Sequence, residues 1–174
     1  MPRVNNIDLD KVMGTVNAVK SDPAKAKKII KVSGSWVFGN PEVQFRSAIQ
    51  TERRGTFVIE VDSPSFMGGS GSRPSPMHYC AIGISSCFMA TLMGVAAEKS
   101  IELKEALINI ECVIDFSKPL GVADKPIIEE VRMNVSLKDN ADREILQKIV
   151  DEAYERCPAM YSLRNPVKVS VKLE

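Results

Sequence analysis

Residues 79–99, "YCAIGISSCFMATLMGVAAEK", decide the fold. The run is apolar enough for a buried helix, yet it carries Cys80 and Cys87 and follows His78, the single histidine of the chain. Ala, Gly and Ser are frequent along it, so a neighbouring element can approach its backbone closely. The expectation is a central helix from about Met77 to Ser100, buried on most sides. His78, Cys80, Ser85 and Ser86 interrupt the run too early for a membrane span, and "MPRVNNIDLDKVMG" lacks a basic-then-apolar leader. A soluble, cytoplasmic protein with no membrane partner is expected.

Outward from this helix the order of elements is simple. "NIDLDKVMGTVNAVKSDPAKAKKII" places Ile7, Leu9, Val12, Met13, Val16 and Val19 at near-helical spacing, and Asp22-Pro23 caps and opens a second short helix. Residues 1–30 are read as a helical arm and 31–174 as the main domain. "KVSGSWVFGNPEVQFRSAIQTERRGTFVIEVDS" alternates and is cut by "GNPE" and "ERRG", which predicts three antiparallel strands joined by tight turns. "SPSFMGGSGSRPSP" then reads as a mobile loop feeding the central helix.

Downstream, "IELKEALINIECVIDFS" and "PIIEEVRMNVSLK" alternate as two strands of a hairpin joined through "KPLGVADKP". "NADREILQKIVDEAYERCP" offers Asn140 or Asp142 as a cap, a stripe of Ile145, Leu146, Ile149, Val150 and Ala153, and Pro158 as a stop. "VKVSVKLE" alternates strictly and predicts a final strand. Helices covering a mostly antiparallel sheet make an α+β domain.

Charge and cysteine chemistry narrow the function. Lys+Arg 23 against Asp+Glu 22 gives a net charge of +1, so no strong field points to nucleic acid. The glycines of "GGSG" precede a helix, but the Walker lysine is missing, which leaves nucleotide binding unsupported. Cys80, Cys87, Cys112 and Cys157 show no CxxC pair, so a metal site is not expected. Without an export signal a disulfide framework is not expected either. Cys80 and Cys87 fall on nearly one helix face about 10 Å apart, too far for a mutual disulfide. Two helices stacked on one sheet could bring Cys157 to either of them.

"SPMHYCAIGISSCFMATLMGVAAEKSIEL", with Pro76 eleven residues before Cys87, is followed some seventy residues later by "ERCPAMYSL". This pattern, over about Lys31 to Leu173, resembles the OsmC/Ohr family. The resemblance implies an OsmC-like fold in an intertwined homodimer and a cysteine-based peroxidase acting on organic hydroperoxides. Cys87 would be the peroxidatic thiolate and Cys157 the resolving thiol, with a dithiol such as a dihydrolipoyl group as reductant and no cofactor. In the family an arginine held by a glutamate activates the thiol. Here Met77 and His78 replace that glutamate, and Arg46 and Arg73 are the candidate arginines. Met77, His78 and Phe88 are the expected substrate-binding residues.

Each reading has a plainer competitor. Cys87 could be a small core residue, Cys157 a helix-end filler, and Cys80 and Cys112 packing groups. His78 could simply be a polar residue at a helix start. The alternative function is a non-catalytic protein of the same fold that binds a small apolar ligand at the dimer interface. A third is a dimeric scaffold whose cysteines merely pack.

Overall fold

The computed structural model describes residues 3–138 and 141–173. The elements are α1 (Leu9–Ser21), β1 (Ser33–Trp36), β2 (Phe45–Thr51), β3 (Gly55–Val61), α2 (Pro76–Glu98), β4 (Glu105–Ile114), β5 (Ile128–Lys138), α3 (Arg143–Arg156) and α4 (Pro158–Arg164). The class is α+β with antiparallel sheets, as the alternation and helical stripes predict. The chain divides into two compact units, residues 17–80 and residues 1–16 with 81–174.

In residues 17–80, Asp22 accepts from the Ala24 amide at 3.1 Å and caps the expected short helix, a 3-10 turn at Pro23–Ala26. The meander β1-β2-β3 follows, with Trp36 opposite Phe45 and Arg46 opposite Glu60. Gly34 suits this position because a Cβ would run into the Phe45 ring and come within 2.9 Å of the Arg46 carbonyl oxygen. The β2–β3 turn is tight and closes on Gly55, whose φ of +76° suits glycine. By contrast, the β1–β2 connection spans residues 37–44 and is not a tight turn. The loop expected to be mobile is instead organised around Asp62, which is fully buried. Its Oδ2 accepts from Ser70 Oγ at 2.6 Å and from the Ser72 amide at 3.1 Å, and Ser65–Met67 forms a short 3-10 turn.

In the other unit, α2, α3 and α4 cover the β4–β5 hairpin. Phe88, Leu92, Val95 and Ala96 of α2 meet Ile149 and Ala153 of α3, Cys157, and Met160 of α4. Val135 and Leu137 of β5 and Ile108 of β4 pack beneath them, which is why those strands alternate. Asn5, at a left-handed φ of 50°, donates to the Ile101 carbonyl at 2.8 Å and accepts from the Leu103 amide at 2.9 Å. The start of the arm is thereby pinned to the α2–β4 link.

Three expectations need correction. The central helix is not buried on most sides: its buried residues, Phe88 to Ala97, all lie beyond Cys87, and Cys80, Ile82, Gly83 and Ser86 are exposed. Pro158 stops α3 but also opens α4, because a proline fits the first helical position, where no amide donor is needed. The final strand is absent among the described residues: Val171 and Leu173 are 93% and 102% exposed. Alternation supplies an apolar edge, but a strand also needs a free ladder to pair with. Of the two proposed caps, Asn140 lies outside the described residues. Asp142 occupies the N-cap of α3 without a side-chain bond.

Candidate active site

Cys87 and Cys157 are brought together. Cys87 lies mid-way along α2, one residue before Phe88, which is 2% exposed, and Cys157 ends α3 and is fully buried. The apolar stripe Ile149–Ala153 lays the end of α3 against α2, and the two Sγ atoms stand 3.7 Å apart. That exceeds a disulfide bond of about 2.05 Å, so the pair is two thiols within a small side-chain movement of closure. Cys80, the other candidate partner, is exposed, and Cys112 is a half-buried residue of β4 opposite Val131.

The joint after Cys157 adds a feature that sequence reasoning missed. Cys157 adopts an extended backbone, the chain turns, and α4 begins at Pro158. Pro158 has no amide hydrogen, so Ala159 carries the first backbone N–H of α4. Burial pushes the Cys87 thiol above its ordinary range; the Ala159 amide opposes this, and the hydrogen bond with Cys157 reinforces it. The dipeptide Cys-Pro at a helix end was the available signal.

A cavity of about 660 Å³ lies among β5, α3 and α4 with Phe88 of α2 in its wall, and neither cysteine lines it. Phe88, Met133, Val135, Val150, Met160 and Leu163 supply its apolar lining, and Glu129, Glu130, Asp151, Tyr154 and Arg164 also face it. Phe88 adjoins Cys87 in sequence and Met160 lies three residues beyond Cys157, so the cavity and the sulfurs share the same helices. Its volume suits a small organic molecule.

Arg46 and Arg73 are also brought together, by Glu60. Arg46 Nη2 donates to Glu60 Oε1 at 2.8 Å, and Arg73 Nε donates to Oε2 at 3.1 Å. The two guanidinium groups, Arg46 first, hold the Glu60 carboxyl below its ordinary range. Glu60 was not among the expected site residues. Counting strand pairs back from the Thr51–Gly55 turn places it opposite Arg46, so the register carried the signal. Asp62 ties down the loop that carries Arg73, and its Oδ1 finds no partner among the described residues.

Met77 and His78 occupy the first turn of α2. His78 Nδ1 accepts from the Ser75 amide at 3.1 Å and lies 2.8 Å from Ser75 Oγ, so the imidazole braces the helix start. Met77 is half-buried.

Comparison with known proteins bears on this geometry. The family model described as OsmC-like protein matches residues 69–172. An organic hydroperoxide resistance protein of Xanthomonas axonopodis pv. citri is 29% identical over 119 residues, covering 66% of this chain and 77% of that protein. The organic hydroperoxide resistance protein OhrB of Bacillus subtilis is 33% identical over 118 residues, 68% of this chain and 79% of its own length. The crystal structure of an organic hydroperoxide resistance protein from Legionella pneumophila superposes with a TM-score of 0.60 at 17% identity, over 79% of this chain and 92% of the other, which is a likeness of fold.

Proposed function

The chain belongs to the OsmC-like protein family, and on that premise we propose that it is a thiol peroxidase for organic hydroperoxides. The observation that carries the proposal is the Cys87–Cys157 pair, with sulfurs 3.7 Å apart, on helices that also wall a partly apolar cavity. The relatives named as organic hydroperoxide resistance proteins support the substrate class.

In the first step the Cys87 thiolate attacks the distal peroxide oxygen. An S–O bond forms, the O–O bond breaks, and the alkoxide leaves as the alcohol after taking a proton, with Cys87 as the sulfenic acid. Cys157 then attacks the Cys87 sulfur, an S–S bond replaces the S–O bond, and water leaves. A small dithiol, such as a dihydrolipoyl group, restores both thiols by exchange. Phe88 and the cavity hold the alkyl part of the peroxide, and Met77 and His78 bind substrate at the start of α2.

Within one chain, burial disfavours the thiolate that this chemistry needs. Arg46 or Arg73 supplies the missing positive charge, and Glu60 takes over the holding role of the family glutamate that Met77 replaces. The protein works as a cytosolic homodimer. The uncovered first half of α2 and the exposed apolar residues Trp36 and Phe57 support a second copy.

One observation favours the second reading, an apolar-ligand binder without catalysis. Burial pushes the Cys87 thiol above its ordinary range, while the cavity is intact. Consumption of cumene hydroperoxide in the presence of a dithiol separates the two. Turnover that disappears in Cys87→Ser, an 87–157 disulfide in the wild type and a trapped sulfenic acid in Cys157→Ser are expected. A wild type that neither consumes peroxide nor oxidises at Cys87 would leave the binder.

A further inference from the structure

Cys157 sits at a joint between two helices, and charged clamps secure both sides of it. Arg156, the last residue of α3, reaches across to α2, where its Nη1 and Nη2 donate to Glu98 Oε2 and Oε1 at 2.6 and 2.8 Å. The same Nη1 donates to Glu152 Oε1 at 2.9 Å, one turn back on α3. Lys99 closes the circuit on Glu152 Oε2 at 2.8 Å. On the far side of the joint, Arg164 of α4 grips Glu155 of α3 with two bonds of 2.6 and 3.0 Å and lies 4.5 Å over the Tyr154 ring.

Two magnitudes decide what such a network can do. These side chains are about half exposed, and exposed ion pairs typically contribute about 0–1 kcal/mol, so their stability effect is small. Geometry is a different matter, because a two-pronged arginine–carboxylate contact fixes orientation as well as energy. Glu98 follows Cys87 by eleven residues, which returns to nearly the same face of α2, about 16 Å along the axis. The clamp at Glu98 and the sulfur at Cys87 therefore share nearly one face of α2, and the end of α3 reaches both, through Arg156 and the adjacent Cys157. Because Arg156 immediately precedes Cys157, a displacement of this end of α3 that opens the sulfur pair also strains the clamp.

We propose that Arg156 is a positioning residue for disulfide closure: by gripping Glu98 and Glu152 it holds Cys157 within reach of Cys87. Its place in a reaction cycle rests on the peroxidase reading. The step it serves is the second one, in which Cys157 sulfur displaces the hydroxyl of the Cys87 sulfenic acid, the thiol proton leaves with that hydroxyl as water, and the two sulfurs end as a disulfide. Arg156 touches neither sulfur, so the first oxidation of Cys87 does not depend on it.

The test compares full-length wild type, Arg156→Ala and Arg156→Lys in two assays. In glutathione redox buffers, intact mass gives the effective molarity of the Cys87–Cys157 pair, a quantity independent of any peroxide chemistry. In rapid mixing with cumene hydroperoxide, sulfenic acid formation and disulfide closure are followed as separate phases. Arg156→Ala is expected to lose about tenfold or more in effective molarity and closure rate while its sulfenic acid forms within about twofold of wild type, since small misplacements of reacting groups cost rate steeply. Arg156→Lys should fall between the two. Unchanged closure in Arg156→Ala, equal losses in both phases, or a wild type that forms no 87–157 disulfide in either assay would overturn the proposal. A wild type that forms the disulfide in glutathione but no sulfenic acid with peroxide defeats the peroxidase reading alone, and the effective molarities then decide the role of Arg156.

Discussion

A thiol in an apolar wall, hydrogen-bonded to a second thiol, has two reasons to keep its proton, and Cys87 has both. The Ala159 amide opposes them as a neutral donor, whereas a full positive charge near the sulfur would do more. Arg46 and Arg73 are the residues proposed to provide it, and that proposal can be tested directly. Replacing Arg46 and Arg73 one at a time by Ala should raise the midpoint of the Cys87 alkylation–pH curve by about one unit or more in one of the two variants, the range expected for loss of a nearby opposite charge. Cys80→Ser, Cys112→Ser and Cys157→Ser together serve as background so that one thiol reports. If neither curve moves, arginine activation is wrong. Glu60 links the two tests: Glu60→Gln keeps the shape but loses the charge that draws both guanidinium groups together, and it should move the same curve as the arginine that matters.

At the scale of elements, the acid behaviour of the α2–α3 clamp gives a second expectation. Arg156 holds Glu98 below its ordinary value near 4.5, and Lys99, then Arg156, does the same to Glu152. A carboxylate depressed in the folded state contributes stability that is fully present above its unfolded value. That contribution is lost as pH falls through the folded value. The thermal midpoint should therefore be nearly level from pH 8 to about 5 and drop below about 4.5. Arg156→Ala should show a shallower drop, while Glu60, Asp62 and Glu155, depressed by other partners, keep part of it. Equal slopes in both proteins would show that the clamp does not form in solution. Part of this arrangement was legible from residues: the 3.6-residue stripe of α3 and the apolar run of α2 allowed the two helices to meet, and "ERCP" put a sulfur at the end of α3 that could reach Cys80 or Cys87, a choice that the residues alone left open. Other parts were not. The order of the 63–75 loop depends on burial of Asp62, which a turn-rich composition conceals, and the pairing of Arg46 with Glu60 appears only when the strand register is counted out. Periodicity reports which face of an element is apolar, but not which long polar side chains find one another.

For the whole molecule, the uncovered apolar surface raises a question that one chain cannot answer. Val167, Val169, Val171 and Leu173 alternate along a segment that pairs with nothing among the described residues. Meanwhile β4 and β5 form a sheet of only two strands. A lone two-stranded sheet is marginal in water, and an extended segment with four exposed apolar side chains suits a free strand edge. Burying each such side chain yields about 1.5–3 kcal/mol, enough in sum to outweigh a substantial part of the cost of association. The expected state is a homodimer in which these segments pair. Sedimentation equilibrium should give twice the chain mass of 19.2 kDa at micromolar concentration. Placing charge on the alternating edge, as Val169→Lys with Val171→Lys, should shift the equilibrium towards the single chain and lower the thermal midpoint at a given concentration. A wild type that sediments as a single chain at every concentration would refute the dimer. A dimer unaffected by the double substitution would place the contact elsewhere, on the exposed half of α2 around Ile82, where Ile82→Lys gives the corresponding test.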